Sequence, residues 1–243
     1  MLQLVGGDQL LVGSESIVYL HAGNERTRHD LVEVRLLGSG FAWWLLRHGK
    51  VPLHAGALGI DGGAVLLAAE SGMGKSSLMC SLVREGIPLL SDDFVAVENS
   101  PSGEIVAASA YPQMRMWPET VEHFIGNADR YPPVFDGGVK RRVAVEEPWG
   151  HFLEGIYRVS RIYLLRRWEH TNGAVQLERV SGHDVFMSLL TSILLGPSFP
   201  MAELQHVWLT LQQIVEQVPV YRLSYPTGWK WLPALHYAIV YPE

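Results

Sequence analysis

The first 40 residues alternate short apolar runs with clusters of glycine, asparagine and aspartate. The runs cover residues 9–12, 16–20 and 31–36, and each is shorter than a typical helix. Short apolar runs between turn-forming residues are typical of β-strands. The pattern therefore predicts a small β-rich segment whose strands form an antiparallel sheet beside the rest of the chain.

Residues 41–69 contain three longer apolar stretches. The first, at residues 41–49, predicts a short helix that ends at a glycine. The second, at residues 51–60, predicts a strand that carries His54 and leads into an Asp-Gly-Gly turn. The third is a continuous apolar run at residues 64–69, which predicts a buried strand. The Asp-Gly-Gly turn would allow the second and third stretches to pair as a β-hairpin.

A glycine-rich turn follows the buried strand, and a helical pattern follows the turn. Leu78, Met79, Leu82 and Val83 repeat at helical spacing until the glycine and proline of residues 86–88 end the pattern. The sequence therefore predicts a strand, a glycine-rich loop and a helix in immediate succession.

The rest of the chain mixes predicted strands and helices. A short buried strand at residues 87–90 ends in Ser-Asp-Asp, and residues 127–150 look the least ordered because they are rich in proline, glycine and charge. The remaining predicted strands cover residues 94–97, 162–165, 175–180 and 220–223, and the remaining predicted helices cover residues 118–126, 185–195 and 201–218.

Strands and helices arranged around a glycine-rich loop predict an α/β protein with a mixed sheet. The chain has 243 residues, of which 48% are hydrophobic, so it can bury a large core. We therefore predict one domain over residues 1–243, with the β-rich segment at residues 1–40 and the loop-bearing core at residues 41–243.

Charge and cysteine content restrict the expected partners and compartment. The net charge is −6 and there is no long basic run, so a nucleic-acid partner is not expected. Cys80 is the single cysteine, which excludes a disulfide within the chain and favours a reducing compartment. No apolar run reaches the roughly 18 residues that span a bilayer. We expect a cytoplasmic protein without a membrane partner, and the sequence leaves a homo-oligomer open.

The glycine-rich loop has the composition of a phosphate-binding loop. Backbone N–H groups around Gly72 and Gly74, together with the positive end of the next helix, would form a concave anion site. Lys75 would reach the β- and γ-phosphates of a nucleotide, and the hydroxyl of Ser76 would bind its Mg²⁺. A nucleotide such as ATP with Mg²⁺ is therefore the expected cofactor, and the loop leaves ATP and GTP both open. The predicted nucleotide contacts are Ser71, Gly72, Met73, Gly74, Lys75, Ser76 and Ser77.

One position departs from the usual loop pattern, because Ala69 occupies the place of the first glycine. An alanine would be strained there if the position required a positive φ. The alternative explanation of the whole stretch is a structural strand-to-helix turn that binds nothing.

Asp92 and Asp93 follow the next predicted strand, so they should lie at the same sheet edge as the loop. A divalent cation would stabilise two adjacent carboxylates near phosphates, and Asp93 is the candidate ligand. A strand points neighbouring side chains to opposite sides, so only one of the two would face the metal. The alternative is a solvated Ser-Asp-Asp turn.

Three stretches resemble the catalytic domain of the HPr kinase/phosphorylase family in order and spacing. That family has a strand histidine before its loop and an acidic pair after the loop's helix. Weaker stretches at residues 111–118, 140–142 and 218–225 look more like the small HPr-kinase-like proteins of peptide-modification clusters, which include the lasso-peptide precursor kinases. The three stretches are Leu53-His54-Ala55, Ser71-Gly72-Met73-Gly74-Lys75-Ser76 and Leu90-Ser91-Asp92-Asp93.

The resemblance implies a fold like that of phosphoenolpyruvate carboxykinase and an ATP-dependent kinase that acts on a serine hydroxyl. By its match to the family's first acidic residue, Asp92 would be the base that takes the serine proton. His54 would contact the γ-phosphate or sense the protonation of Asp92, and a purely hydrogen-bonded role is equally open. Candidates for holding the acceptor are Arg115, Lys140, Arg141 and Arg142, with a solvated basic loop as the alternative.

Three functions are consistent with these residues. The first is transfer of the γ-phosphoryl group of ATP to a serine of a peptide or small protein, such as a ribosomally made lasso-type precursor. The second keeps this chemistry but uses a small-metabolite alcohol as the acceptor. The third is a nucleotide-binding scaffold or switch that no longer transfers phosphate, with Ala69 as the motivating change.

Overall fold

The computed structural model describes residues 2–4, 7–22, 29–168, 173–193 and 204–242. In this part of the chain, nine strands form one mixed sheet, and helices pack on both of its faces. The predicted α/β class with a mixed sheet is therefore confirmed. No helix among these residues is long and apolar enough to cross a membrane.

The chain begins with a small antiparallel sheet, as the apolar pattern predicts. Its strands are β1 (Leu2–Gln3), β2 (Gln9–Val12) and β3 (Ile17–Leu20). The carboxylate of Asp8, just before β2, is buried and accepts a hydrogen bond from the hydroxyl of Tyr19. This bond, together with other donors around the carboxylate, holds the pKa of Asp8 well below its usual value.

The predicted strand at residues 31–36 is wrong, because this run is helical. Helix α1 (His29–Arg35) continues through a π-helical turn (Leu36–Gly40) into helix α2 (Phe41–Arg47), which lies where a helix is predicted. Periodicity alone cannot assign a short apolar run to a strand or a helix, so tertiary contacts decide. Here the guanidinium of Arg35 binds the buried carboxylate of the first sheet. The helical stretch is therefore a correction to the β-rich description of the first 40 residues.

The single strand predicted at residues 51–60 is two strands, with a break at His54. Strand β4 (Val51–Leu53) leaves the path that β5 (Ala55–Ile60) follows, and each pairs with different neighbours. Strand β5 turns back into β6 (Gly63–Ala68), and the two form the antiparallel hairpin that the turn made possible. All of β6 is buried, as its continuous apolar run predicts.

The elements that the sequence predicts after the loop occur in the predicted order, and the structure adds strands at residues 105–108 and 113–116 and a helix at residues 232–240. The stretch expected to be least ordered contains a strand and a short 3₁₀ helix (Ala128–Arg130). The two predicted helices near residues 185–218 are confirmed within the described residues, and residues 194–203 lie outside them. The elements are α3 (Lys75–Arg84), β7 (Leu89–Ser91), β8 (Val95–Asn99), β9 (Ile105–Ala108), β10 (Gln113–Met116), α4 (Pro118–Phe124), β11 (Arg141–Ala144), β12 (Ile156–Trp168), β13 (Gln176–Val180), α5 (His183–Thr191), α6 (Gln205–Gln217), β14 (Val220–Pro226) and α7 (Leu232–Val240).

The order of strands in the large sheet places several strand ends beside the loop. The order is β4, β8, β9, β12, β6, β5, β7, with β14 also paired to β12 and β13 paired to β14. Strand β12 is parallel to both β6 and β14. Parallel strands end at the same sheet edge, so the loop after β6 lies near the ends of β12 and β14.

Two hydrophobic clusters fill the two faces of this sheet. Helices α5 and α6 contribute to one, and helices α3 and α7 contribute to the other. Cys80 of α3 is fully buried in the second cluster, and burial raises the pKa of its thiol to about 12. The cysteine is therefore an inert part of the core, as its position in the helix predicts.

Gly56 of β5 allows helix α3 to pack directly on the sheet. A β-carbon at this position would lie 1.9 Å from Sδ of Met79, which is itself fully buried. We expect Gly56→Ala to lower the free energy of unfolding by about 1–3 kcal/mol, because the core would be overpacked. Denaturant titration measures the loss. The control is Gly38→Ala, where an added β-carbon has no atom within 4 Å beyond the neighbouring residues of its own helical turn, and an equal loss in both variants would contradict the packing argument.

Candidate active site

The loop between β6 and α3 has the backbone of an anion-binding turn. Gly72 and Gly74 adopt φ angles of +85° and +93°, which residues with a side chain rarely adopt. Gly74 precedes the first turn of α3, whose unpaired N–H groups face the loop. Among the described residues, the non-glycine positions with positive φ are Asp61 and Asp93. Ala69 is therefore unstrained, and the missing glycine leaves the loop geometry intact.

Two side chains from neighbouring strands lie over this loop. The hydroxyl of Tyr225 donates a hydrogen bond of 2.6 Å to the carbonyl of Met73. Burial raises the pKa of Tyr225 to about 12, so the hydroxyl remains a donor. A β-carbon on Gly74 would lie 3.3 Å from this hydroxyl and 3.7 Å from Nη1 of Arg167. The loop is therefore braced by β14 and covered by a cation from β12.

A polar cavity of about 380 Å³ opens beside the loop, and we call it the loop cavity. Three cationic side chains and two carboxylates line it. A concave site with an excess of positive charge attracts anions such as phosphates. The lining residues are His54, Glu70, Ser71, Gly72, Gly74, Lys75, Ser76, Ser77, Asp93, Trp117, Lys140 and Arg167.

An ion pair lies inside the loop cavity. Nζ of Lys75 is 2.6 Å from Oδ1 of Asp93, and the lysine is only 6% exposed. Burial acts to raise the pKa of Asp93, but the ammonium of Lys75 outweighs it, so the pKa falls below its usual value. Asp93 is therefore ionised, and it holds Lys75 where the oxygens of a bound phosphate could replace the carboxylate as its partner.

His54, at the break between β4 and β5, supports the carboxylate side of the cavity. Its Nδ1 donates a hydrogen bond of 2.9 Å to the backbone carbonyl of Asp93. Burial, reinforced by the charge of Lys75, lowers the pKa of the imidazole. A neutral ring that donates from Nδ1 keeps Nε2 as an acceptor. His54 therefore fixes the Asp93 segment and offers one acceptor nitrogen.

Asp92 lies in different surroundings from its neighbour. It is buried, it does not line the loop cavity, and its Oδ2 accepts a hydrogen bond of 2.7 Å from the backbone N–H of Arg115. Its Oδ1 has no hydrogen-bond partner among the described residues. Burial, with the charge of Asp93 as a second cause, raises the pKa of Asp92. Asp93 therefore lines the loop cavity, whereas Asp92 lies in the protein interior.

The four basic residues predicted to hold an acceptor do not form one cluster. Lys140 alone of the four lines the loop cavity, with its Nζ 5.6 Å from the ring centroid of Trp117. Arg115 and Arg142 line a separate cavity of about 140 Å³ beside α1, where Arg142 forms an ion pair with Glu33. Arg141 pairs instead with Asp129. Side chains alternate along β11, so neighbours in sequence point apart.

The sequence interpretation missed Glu70, Arg167 and Tyr225, although all three lie at or over the loop. A signal existed for the arginine, because residues 166 and 167 form a basic pair near the end of a predicted strand. A strand parallel to β6 ends at the loop's edge of the sheet. The sequence did not reveal that pairing, so the arginine could not be assigned.

The donor set of the loop cavity fits a magnesium ion that arrives with a nucleotide. The hydroxyl of Ser76 and the carboxylate of Asp93 both line the cavity, and hard cations take oxygen ligands. Among the described residues, no group of three or more His, Cys, Asp or Glu side chains could hold a metal ion. Mg²⁺ usually takes one or two protein ligands and completes its shell with phosphates and water, so this set suffices.

The fold and the loop together define a class, which is a mixed α/β protein with the geometry of a phosphate-binding loop. No protein-family model matches the chain, and no curated protein matches it either. The solved structure of the Hpr(Ser) kinase/phosphatase from Coxiella burnetii is similar with a TM-score of 0.41 and 14% sequence identity. That similarity covers 76% of this chain and 91% of that chain. This is a distant similarity of fold, and the function proposed below is argued from the residues of the loop cavity.

Proposed function

We propose that the chain is an ATP-dependent phosphotransferase that passes the γ-phosphoryl group to a hydroxyl acceptor. The observation that carries the proposal is the buried Lys75, held by Asp93 inside a cationic cavity at the start of α3. A buried ion pair is weak evidence for stability, because desolvation offsets much of its Coulomb energy. A lysine whose counter-ion sits beside an anion-binding turn is instead suited to exchange that counter-ion for a phosphate.

The residues of the loop cavity account for the parts that phosphoryl transfer needs. Lys75 would move from Asp93 to oxygens of the β- and γ-phosphates, and the N–H groups of the loop would hold the remaining oxygens. Ser76 would hold Mg²⁺ directly and Asp93 would hold one of its waters, which leaves the Asp93 carboxylate able to take a proton; the ion neutralises charge on the phosphates when it is bound. Lys140 and Arg167 supply further positive charge for the transferring group.

We assign the proton-accepting carboxylate to Asp93 rather than to Asp92. A base has to reach the hydroxyl that it deprotonates, and Asp93 lines the cavity whereas Asp92 is bound to the backbone of Arg115. In the transfer, the acceptor oxygen bonds to the γ-phosphorus, the bond to the β–γ bridging oxygen breaks, and the hydroxyl proton passes to the carboxylate. ADP and a phosphate ester are the products.

We further propose a serine of a peptide or small protein as the acceptor, with a lasso-type precursor peptide as the leading candidate. The support is the resemblance at residues 53–55, 71–76 and 90–93 to the HPr kinase/phosphorylase family. The alternative of a scaffold that no longer transfers phosphate was based on Ala69, and it loses that support because Ala69 does not adopt a positive φ.

The test uses the purified chain with Mg²⁺ and γ-³²P-labelled ATP. The acceptors are a serine-containing precursor peptide, the same peptide with that serine replaced by alanine, and a pool of metabolite alcohols. We expect label on the serine peptide and none on its alanine counterpart. Label on the metabolite pool alone would move the acceptor to a small alcohol. ATP binding without transfer to any acceptor would overturn the phosphotransferase proposal.

A further inference from the structure

Another cavity, of about 240 Å³, adjoins the start of α3, and we call it the aromatic cavity. It shares Gly74, Ser77 and Arg167 with the loop cavity, so the two spaces meet at the loop. Most of its other lining is apolar, and no carboxylate occurs among the described residues that line it. The protein therefore has a charged cavity and a mainly apolar cavity that meet at the start of one helix.

The ion pair gives the direction in which a nucleotide would lie across these compartments. Lys75 marks the position of the β- and γ-phosphates, and it lines the loop cavity but not the aromatic cavity. The backbone N–H groups of such a loop hold the α- and β-phosphates, and Gly74 of the loop and Ser77 of α3 line both cavities. The ribose and base attached to the α-phosphate would then lie beside the aromatic cavity.

The lining of the aromatic cavity is suited to a flat aromatic ring. Trp229 is 40% exposed, and its ring is held in place by stacking on His123 with 4.6 Å between centroids and an edge contact with Phe124. Leu232 contributes aliphatic surface. A fixed indole at the mouth of an apolar cavity offers stacking to a nucleobase, which every base can use.

We propose that the aromatic cavity holds the nucleobase and ribose of the bound nucleotide, with Trp229 as the stacking residue. This inference rests on the proposed function, because it assumes that the loop binds nucleotide phosphates. The hydroxyls of Thr227 and Tyr225 already donate to backbone carbonyls, so Arg167 and Ser77 are the polar side chains of this cavity that remain for a base or ribose.

The test separates the base from the phosphates. Isothermal titration in the presence of Mg²⁺ compares a non-hydrolysable ATP analogue with inorganic tripolyphosphate, on the wild type, Trp229→Ala and Trp229→Phe. We expect Trp229→Ala to weaken binding of the analogue by roughly tenfold to a hundredfold while tripolyphosphate binds as before. Trp229→Phe should keep most of the affinity because it retains a ring. Trp208→Ala is the matched control, because Trp208 is also partly exposed and stacks on Phe186 away from the loop.

Each other outcome has a definite meaning. Equal weakening of both ligands in Trp229→Ala would show that the tryptophan supports the loop, and it would overturn the inference. Unchanged binding of both ligands in that variant would also overturn it and would leave the phosphate site standing. Failure of the wild type to bind either ligand would remove the proposed function, and the inference would fall with it.

Discussion

Replacement of Lys75 by methionine is expected to weaken binding of ATP by about a hundredfold, on the scale of one or two charge-assisted hydrogen bonds to phosphate. Methionine keeps the length and much of the apolar stem of lysine, so α3 should still form. The loss has a simple cause, because the ammonium is the buried cation of the loop cavity and is already held there by a carboxylate. Isothermal titration with a non-hydrolysable analogue and Mg²⁺ measures the change.

The control for this variant is Lys50→Met. Lys50 also forms an ion pair, with Glu98 at 2.7 Å, but it does not line the loop cavity. Its replacement should leave the affinity for ATP unchanged. Removal of Lys75 also leaves the charge of Asp93 without its partner, so Lys75→Met/Asp93→Asn should be more stable than the single variant yet bind no better. Undiminished ATP binding in Lys75→Met would mean that the loop does not hold the phosphates.

Replacement of Asp93 by asparagine is expected to lower the rate of phosphoryl transfer by about 10²–10⁴-fold, the usual contribution of a positioned proton acceptor. Asparagine has the same shape but carries no charge, so it can neither take a proton nor neutralise a cation. The matched variant is Asp92→Asn, in which the amide oxygen can still accept the hydrogen bond from the N–H of Arg115. We expect this second variant to lose no more than about tenfold in rate.

The two aspartates are adjacent in sequence, so a difference in rate between these two variants reports the difference between the surroundings of the two side chains. Turnover at saturating ATP and acceptor, measured on both proteins, gives the comparison. The dependence of the rate on Mg²⁺ concentration should shift in Asp93→Asn and not in Asp92→Asn, because only Asp93 lines the cavity with Ser76. The reverse order of rates would place Asp92 at the reacting hydroxyl, as the resemblance to the HPr kinase family implies.

Local patterns were sufficient to predict the strand, loop and helix at the centre of the chain. Neighbours along the chain determine each of these features: the apolar run of β6, the two glycines with positive φ and the apolar stripe of α3. The run at residues 31–36 failed because its helical form depends on contacts with the first sheet, which no local pattern records. Periodicity identifies an element only where neighbours along the chain determine it.

Apart from Lys140, the residues of the loop cavity that the sequence predicted lie in the loop or in the two segments that flank it, which carry His54 and Asp93. Lys75 and Ser76 follow from the loop itself, whereas Arg167 and Tyr225 come from strands that are distant in sequence. Their place over the loop depends on the parallel pairing of β12 with β6 and β14. The basic residues at 140–142 do not lie together for a related reason, because adjacency in sequence does not mean a shared direction on a strand.

The hydrogen bond from Tyr225 to Met73 links the loop to the last strand of the chain. During synthesis, the segment with the histidine, the loop and the acidic pair would leave the ribosome more than a hundred residues before this tyrosine. A nascent chain would then carry every motif of the site and still lack the brace that completes it. Under the proposed function, an unfinished chain would therefore bind nucleotide more weakly than the finished protein.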